Sequence, residues 1–279
     1  NRPEWLISDL AIMLAEGITV PAYTTYTERD YDFLISDCKP SVIVVSDNTQ
    51  FKKIKNLIQK YDFIKIVISF EDLNEDNITY IGKIFDQNKF DKRKLDDVNL
   101  FRKDIACIIY TSGTQGNPKG VMLSHGGILN NCEGSVELLN EIVRNKPKFL
   151  TWLPLSHSYE HTVQFVQIAV GAKIFYAESI DKLLKNMNDC NPDVMTAVPR
   201  FYQNLYQKIS STFKKARGIK KFLVNSTLYL GKKTFLKKKL SFIEKFLNFI
   251  CQKLVRKKIK SQFGGNLKAF VSGRGCFRL

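Results

Sequence analysis

Apolar residues along the chain switch repeatedly between a helical and a strand spacing. From Pro3 to Glu16 they recur at Trp5, Leu6, Leu10, Ile12, Met13 and Leu14. This predicts a helix with a broad buried face that Gly17 ends, followed by a strand at Ile18-Thr19-Val20. The next unit is a helix over 28–36, a turn at Lys39-Pro40 and a strand at Val42-Ile43-Val44-Val45. A third runs from a helix around Phe51–Tyr61 to a strand at Ile64–Phe70. Helix and strand alternating at this pitch predict a parallel sheet covered by helices.

Residues 71–104 are polar, rich in Asp, Asn and Lys, and read as surface connections. The pattern resumes at Ile105-Ala106-Cys107-Ile108-Ile109-Tyr110, a short buried strand. Beyond it, Ser124 is placed to cap a helix over 128–143. His125 reads as a polar helix-start residue, with a catalytic role as the alternative. Strand 149–153, helix 160–170, strand 172–176, helix 180–189 and strand 194–198 then repeat the strand-helix rhythm. The expected fold class is α/β, with parallel-sheet subdomains and covering helices.

The stretch Tyr110–Gly120, YTSGTQGNPKG, carries the chemistry. Thr111, Ser112 and Thr114 supply hydroxyls, and Gly113, Gly116 and Gly120 let backbone N–H groups approach an anion. Lys119 adds a movable positive charge. The loop is expected to leave the carboxyl end of a sheet, where ligands of open α/β sheets bind. Two common phosphate loops are excluded by spacing. Lys119 follows Pro118 and precedes Gly120-Val121, unlike the ATPase Gly-Lys-Ser/Thr, and G-x-G-x-x-G is missing. A polar surface turn is the simpler reading of any Ser/Gly loop.

The order of residues favours the phosphate site. It resembles the phosphate loop of the AMP-forming acyl-CoA synthetases, in the adenylate-forming ligase superfamily, whose pattern is roughly Y-T-S-G-T-T-G-x-P-K-G. Gln115 stands where threonine is usual, and it still offers a donor and an acceptor. The resemblance implies that Thr111, Ser112, Gly113, Thr114, Gln115, Gly116 and Lys119 meet the β- and γ-phosphates of ATP. Within the superfamily, NRPEW, GITVPAYTTYTERD, GAKIFYAESIDKLL and PDVMTAVPRFYQNLY resemble the long-chain enzymes.

The octet Pro154–His161, PLSHSYEH, supports two readings. His157-x-x-Glu160-His161 fits the inverted zinc-peptidase signature, with two histidines one turn apart and a glutamate as general base. The remaining histidine, His125, precedes the motif, and no second motif supplies a third ligand. The octet also resembles the family's L-P-L-S-H-x-Y/F-E segment, which implies that His157 and Tyr159 line the acyl and adenylate site. His161 is then a packing or polar-surface residue. Thr196-Ala197-Val198-Pro199, at the end of a strand, are acyl-pocket residues or plain core.

Composition is that of an ordinary globular chain, 44% hydrophobic and 25% charged over 279 residues. No apolar run reaches the ~18 residues of a membrane span. With Asn1 first and no leader ahead of it, the chain is expected to begin inside a larger protein. Six cysteines lie scattered without a C-x-x-C pair, which fits reduced cytosolic thiols better than zinc or a disulfide scaffold.

The net charge of +16 sits almost wholly between Phe213 and Gln262, with sixteen Lys/Arg and a single acid, Glu244. Apolar positions at Phe242, Ile243, Phe246, Leu247, Phe249, Ile250, Leu254, Val255 and Ile259 form a helical stripe there, with lysines expected opposite. The bland reading is a solvated lysine face on a helix packed against the sheet. The functional one is peripheral attachment to an anionic membrane on its inner face. Nucleic acid is not expected, because the aromatic residues fall in the apolar stripe.

The chain closes with LKAFVSG, which resembles the strand before the family's adenine-side S-G-G-A-x-L segment and implies adenine-side roles for Ser272 and Gly273. From Arg274 the resemblance fails, as a truncation or frameshift would produce.

The expectation is thus an incomplete AMP-binding domain over 1–279: a first α/β portion at 1–104, the phosphate-loop and acyl-site portion at 105–212, a basic helical segment at 213–262 and the adenine-side start at 263–279. Its implied activity is long-chain fatty acid–CoA ligation with ATP, Mg²⁺ and coenzyme A, and the chain as given is expected to lack activity alone. The rival readings are a non-catalytic remnant that binds a membrane or partner, and the zinc hydrolase.

Overall fold

The computed structural model describes residues 1–86, 97–111, 118–143, 146–214, 217–273 and 275–278. The chain divides into two compact units, one formed by Arg2–Glu133 with Pro154–Gln164, the other by Asn1, Gly134–Leu153 and Phe165–Leu279.

In the first unit, helix α1 (Pro3–Leu14) opens on a proline in its first turn, where the missing N–H is harmless. It ends through Glu16, at φ 60°, not through the expected Gly17. The Gly17 amide bonds back to the Ile12 carbonyl at 2.8 Å and Glu16 to Met13 at 3.0 Å, a Schellman closure. Gly17 is needed for space, because a Cβ there would lie 2.9 Å from Ile12 Cγ2.

Helix α2 (Glu28–Cys38) begins with a reciprocal capping box between Thr27 and Asp30 and stops at Lys39, in the left-handed region. Strand β1 (Val42–Val45), helix α3 (Asn48–Lys60), capped by Asp47, and strand β2 (Ile66–Ser69) complete the predicted repeat. Tyr31, Ile35, Val45, Phe51, Ile54 and Leu57 close its core.

Two expectations change here. Residues 79–86 are not mere connection: β3 (Thr79–Tyr80) adds a parallel edge to β2, and α4 (Ile81–Asp86) follows. Both are too short to show a period. Ile18-Thr19-Val20 makes a single bridge, Thr19 to Cys107, instead of a full strand.

The larger correction concerns β4 (Ile105–Thr111). It does not lie in a parallel sheet but pairs antiparallel with β5 (Lys119–Ser124), so the phosphate-loop stretch joins the two arms of a hairpin. Helix α5 (His125–Asn140) starts three residues earlier than expected, as Ser124 Oγ accepts the Gly127 amide at 3.1 Å.

The second unit holds a five-stranded sheet in the order β10-β9-β8-β6-β7. Strands β6 (Lys148–Thr151), β7 (Lys173–Tyr176), β8 (Val194–Thr196) and β9 (Ala269–Ser272) are parallel, and β10 (Gly275–Arg278) runs antiparallel at the edge. Helix α6 (Ser158–Ala169), whose residues up to Gln164 belong to the first unit, follows β6 in sequence, and α7 (Leu183–Cys190) lies in the crossover from β7 to β8. Leu150, Leu183, Met187, Met195, Leu267 and Phe270 pack between sheet and α7. Gly264, at φ +78°, brings the chain within a would-be 2.4 Å of the Met187 carbonyl, where no side chain fits. Asp193 joins strand starts by accepting the Lys148 amide at 3.0 Å and pairing with Lys268 at 3.0 Å.

The basic segment is a helical hairpin. After α8 (Pro199–Lys214) come α9 (Gly218–Phe235) and α10 (Phe242–Cys251), then a π turn at Gln252–Arg256 and α11 (Lys257–Gln262). The expected stripe is not buried as one face: Phe242, Ile243, Phe246, Phe249 and Leu254 are exposed, while Leu247, Ile250, Val255 and Ile259 are partly buried. Nor do the lysines keep opposite it, since Lys253 lies over the Phe249 ring at 4.7 Å. Among the described residues no helix is long and apolar enough to cross a membrane.

Candidate functional site

The β4–β5 hairpin positions the phosphate-loop residues that are described. Ala106, Cys107, Ile109 and Tyr110 are buried, which anchors β4 in the interior. Tyr110 donates its hydroxyl to the Asp37 carboxylate, and its ring meets Phe33 edge-on at 6.4 Å. Burial, reinforced by the Asp37 bond, raises the phenol above its ordinary range, so Tyr110 stays neutral and fixed.

Gly120 sits across from Tyr110, where a Cβ would lie 2.8 Å from Ile108 Cγ2 and 3.2 Å from the tyrosine ring. The two arms therefore approach closely just before their ends. The final pair is Thr111 with Lys119, both exposed. Cross-strand partners project from one face of a sheet, so a hydroxyl and an ammonium stand together at the open end. Ser112, Gly113, Thr114, Gln115 and Gly116 lie outside the described residues.

Also in the first unit, the octet divides into exposed and buried parts. His157 is exposed, and its Nδ1 accepts the Tyr159 amide at 3.2 Å, which caps the start of α6. Tyr159 is half-buried. Glu160 and His161 are buried, His161 Nε2 lying 2.8 Å from Asp9 Oδ2 with the Trp5 ring edge-on at 5.3 Å.

His161 is thus an interior residue and not a surface one. The zinc arrangement finds no support, since the two motif histidines are engaged separately, in a helix cap and with Asp9. Among the described residues no three His, Cys, Asp or Glu side chains converge on a metal position. Asp9 escaped the sequence reading. Its one signal was an acid four residues after Trp5, within an otherwise apolar helix face.

The second unit brings other predicted residues together at the carboxyl edge of its parallel strands. Ser272 ends β9, Thr196 the adjoining β8 and Thr151 the next strand, β6. Thr196 is 1% exposed, and its Oγ1 has no hydrogen-bond partner among the described residues. Its carbonyl accepts the Trp152 indole N–H at 2.8 Å. Trp152, Phe201, Tyr202 and Phe270 form a ring cluster beside it, with centroids 5.2 Å apart for Trp152–Phe201 and 5.4 Å for Phe201–Phe270.

This wall went unread in the sequence, although the aromatic pair in PRFYQ marked it. Gly273 is exposed at the turn after Ser272. The chain then reverses, Gly275 pairing with Ser272, where the resemblance was expected to fail. Arg274 lies outside the described residues.

Comparison with known proteins agrees with the architecture. A model described as AMP-binding enzyme matches residues 1–273. The chain is similar to long chain acyl-CoA synthetase 4 of Arabidopsis thaliana, 31% identical over 98% of this chain and 42% of that protein. It is also similar to long-chain-fatty-acid–CoA ligase 5 of Rattus norvegicus, 30% identical over 98% of this chain and 41% of that one. The chain therefore spans about four tenths of the curated relatives it matches.

Among solved structures, a long-chain-fatty-acid-CoA ligase from Archaeoglobus fulgidus shares the fold with a TM-score of 0.64 at 20% identity, over 76% of this chain and 41% of that one. ATP-bound MatB from Rhodopseudomonas palustris does so at 0.54 and 24%, over 74% and 39%.

Proposed function

The chain belongs to the AMP-binding enzyme family, and on that premise we propose that it forms part of a long-chain fatty acid–CoA ligase. In the proposed reaction a fatty acid carboxylate attacks the α-phosphorus of ATP, giving an acyl-adenylate and releasing pyrophosphate. The CoA thiol, losing its proton, then attacks the acyl carbonyl, and AMP departs with the bonding electrons.

The first step joins two anions and expels a third, so its barrier falls most where fixed cations and donors face the phosphates. The observation that carries the reading is the closing pair of the hairpin: Thr111 and Lys119 stand opposite each other, exposed, on arms locked by Tyr110 and Gly120. Lys119 would neutralise phosphate charge while the Thr111 hydroxyl donates. Ser112, Gly113, Thr114, Gln115 and Gly116 would complete the cradle through N–H and side-chain donors.

The exposed Thr111 hydroxyl is an oxygen that would help hold a Mg²⁺ ion beside the phosphates. When bound, the ion would supply charge neutralisation at the phosphates.

For the acid and adenylate, Thr196 is the strongest assignment. A buried hydroxyl without a protein partner is costly unless a ligand takes up the bond, and the aromatic cluster beside it would exclude water. Ser272 and Gly273, on the neighbouring strand, would serve the adenine side, and His157 and Tyr159 the acyl side. Residues 213–262 would hold the protein at an anionic membrane surface, the phase in which a long-chain acid dissolves.

Equilibrium dialysis of the 279-residue chain against labelled ATP and Mg²⁺ tests the phosphate assignment. Saturable binding is expected, weakened at least ~10-fold in Lys119→Ala, the scale of one charge-assisted contact, and unchanged in Lys173→Ala. ATP binding indifferent to Lys119 overturns the reading. Acyl-CoA formation is scored separately with labelled palmitate and CoA on the full-length protein, where its absence beside intact ATP binding leaves the non-catalytic reading.

A further inference from the structure

The most exposed aromatic residues of the described chain are gathered at one place, the tip of the α9–α10 hairpin. Phe235, the last residue of α9, is 86% exposed, and Phe242, the first of α10, is 89% exposed. Leu236 and Ile243 beside them are exposed as well, and the turn between carries Lys237, Lys238 and Lys239, all exposed. Large apolar side chains held in water next to a block of cations need an explanation, because isolated domains seldom expose such patches.

The tip is built and not merely loose. At the end of α9 the Lys238 amide bonds to the Lys233 carbonyl at 3.0 Å and Lys237 to Thr234 at 2.9 Å, with Lys237 at φ 54°. These are the bonds of a Schellman turn. Ser241 and Glu244 form a reciprocal capping box that starts α10. Lys233 then clamps the two helices through both Glu244 oxygens, at 2.6 and 2.7 Å.

Leu230 and Cys251 are each fully buried, and the inner seam is bridged by the Cys251 thiol, 3.7 Å from the Leu223 carbonyl, and by Arg256, which donates to the Thr227 carbonyl at 3.5 Å. Phe242, Phe246 and Phe249 recur at four and three residues, so they share one stripe of α10, on the side away from Cys251. The hairpin's sole acid is used internally. Beyond Lys233 its cations have no acid on the segment left to pair with, and Phe242, Phe246 and Phe249 are exposed, with Lys253 over the Phe249 ring.

We propose that this hairpin is a membrane-docking element. Its tip and the Phe242–Phe246–Phe249 stripe enter the interfacial zone of an anionic bilayer, and Lys237, Lys238, Lys239, Lys245 and Lys253 engage lipid phosphates. An aromatic edge flanked by lysines suits the headgroup boundary, where rings find an apolar phase and ammonium groups stay among anions. The charge selects anionic lipid over neutral lipid. The rings distinguish this surface from one that meets a hydrated polyanion, which would leave Phe235 and Phe242 in water. The inference deepens the membrane reading of residues 213–262 and is independent of ligase activity.

Vesicle flotation with the full chain, without ATP or acid, tests it. Vesicles of phosphatidylcholine with about one-third phosphatidylglycerol are expected to carry the protein, and pure phosphatidylcholine vesicles at least ~10-fold less. The triple variant Lys237→Gln, Lys238→Gln, Lys239→Gln should lose ~100-fold in partitioning, and Phe235→Ala with Phe242→Ala ~10-fold or more. All these positions are exposed, and unchanged circular dichroism melting confirms that the variants fold.

A single Phe242→Trp reporter should blue-shift on anionic vesicles and be quenched by bromine-labelled acyl chains. The proposal is overturned if wild-type protein ignores anionic vesicles, or if the double alanine variant binds as wild type. It is equally overturned by a reporter that stays water-exposed on the vesicle, or by lipid-free self-association that buries Phe242. Loss of ligase activity with intact vesicle binding would bear on the catalytic reading alone.

Discussion

His161 Nε2 lies 2.8 Å from Asp9 Oδ2, joining α6 to α1 within the first unit while both side chains are almost wholly shielded from water. Trp5, one turn before Asp9, closes the ring edge at 5.3 Å. The contact turns what looks like half of a metal motif into an internal polar strut. It also joins segments far apart in sequence, and its loss should be felt by the whole unit.

His161→Ala removes the ring and leaves Asp9 buried without it, so the unfolding free energy should fall by about 3 kcal/mol. Asp9→Asn keeps a hydrogen-bonding amide in place and should cost roughly half as much. Urea denaturation followed by Trp5 and Trp152 fluorescence measures both. A loss in His161→Ala with none in Asp9→Asn would mean that volume, not the polar contact, matters here.

Gly120→Ala puts a methyl 2.8 Å from Ile108 Cγ2 and 3.2 Å from the Tyr110 ring. Neither neighbour can yield easily, since Tyr110 is held by Asp37. A loss of about 1–3 kcal/mol is expected, together with weaker ATP binding, because the arms that carry Thr111 and Lys119 must part. Thermal melting and ATP dialysis on the same preparation should show both effects.

Thr196→Val replaces an unbonded buried hydroxyl with a methyl of similar size. Such a change should raise stability by about 1 kcal/mol, while acyl-adenylate formation by the full-length protein falls. Thr196→Ser, retaining the hydroxyl, should preserve the reaction better than Thr196→Val. A valine variant that is both more stable and fully active would remove Thr196 from the site.

The hairpin clamp should respond to acid. The bond from Lys233, then the Ser241 amide, lowers the Glu244 carboxyl below its ordinary value of 4.5. A depressed folded-state value means that its contribution is complete above that ordinary value and fades as pH falls through the folded one. Vesicle-free circular dichroism of the chain should therefore show α9–α10 helicity intact at pH 6 and declining below about pH 4. Glu244→Gln should abolish that part of the pH dependence.

Local patterns carried the first repeat well. The helix expected over 28–36 spans Glu28–Cys38, and Val42–Val45 is a strand to the residue. Periodicity and alternation depend on neighbours within a few positions, which is the range a linear reading can reach. What failed depended on distant partners. Ile105–Thr111 has the composition of an inner parallel strand, yet it folds against Lys119–Ser124, a choice set by pairing. The 242–263 stripe has a buried helix's period, and only the burial of Cys251, its thiol against the Leu223 carbonyl, reveals that the phenylalanines on the other side face outward.

The order of residues in Tyr110–Gly120 was enough to point to the family that the comparison then showed, because its glycines, hydroxyls and lysine are distinctive by identity and spacing. Tertiary structure alone decided that Thr111 faces Lys119 across a hairpin, that His161 answers to Asp9, and that the Thr196 hydroxyl is buried without a partner among the described residues. Each of those facts is a relation between a side chain and a distant segment. Burial and pairing arise from where the whole chain excludes water, and that is not encoded at any one position.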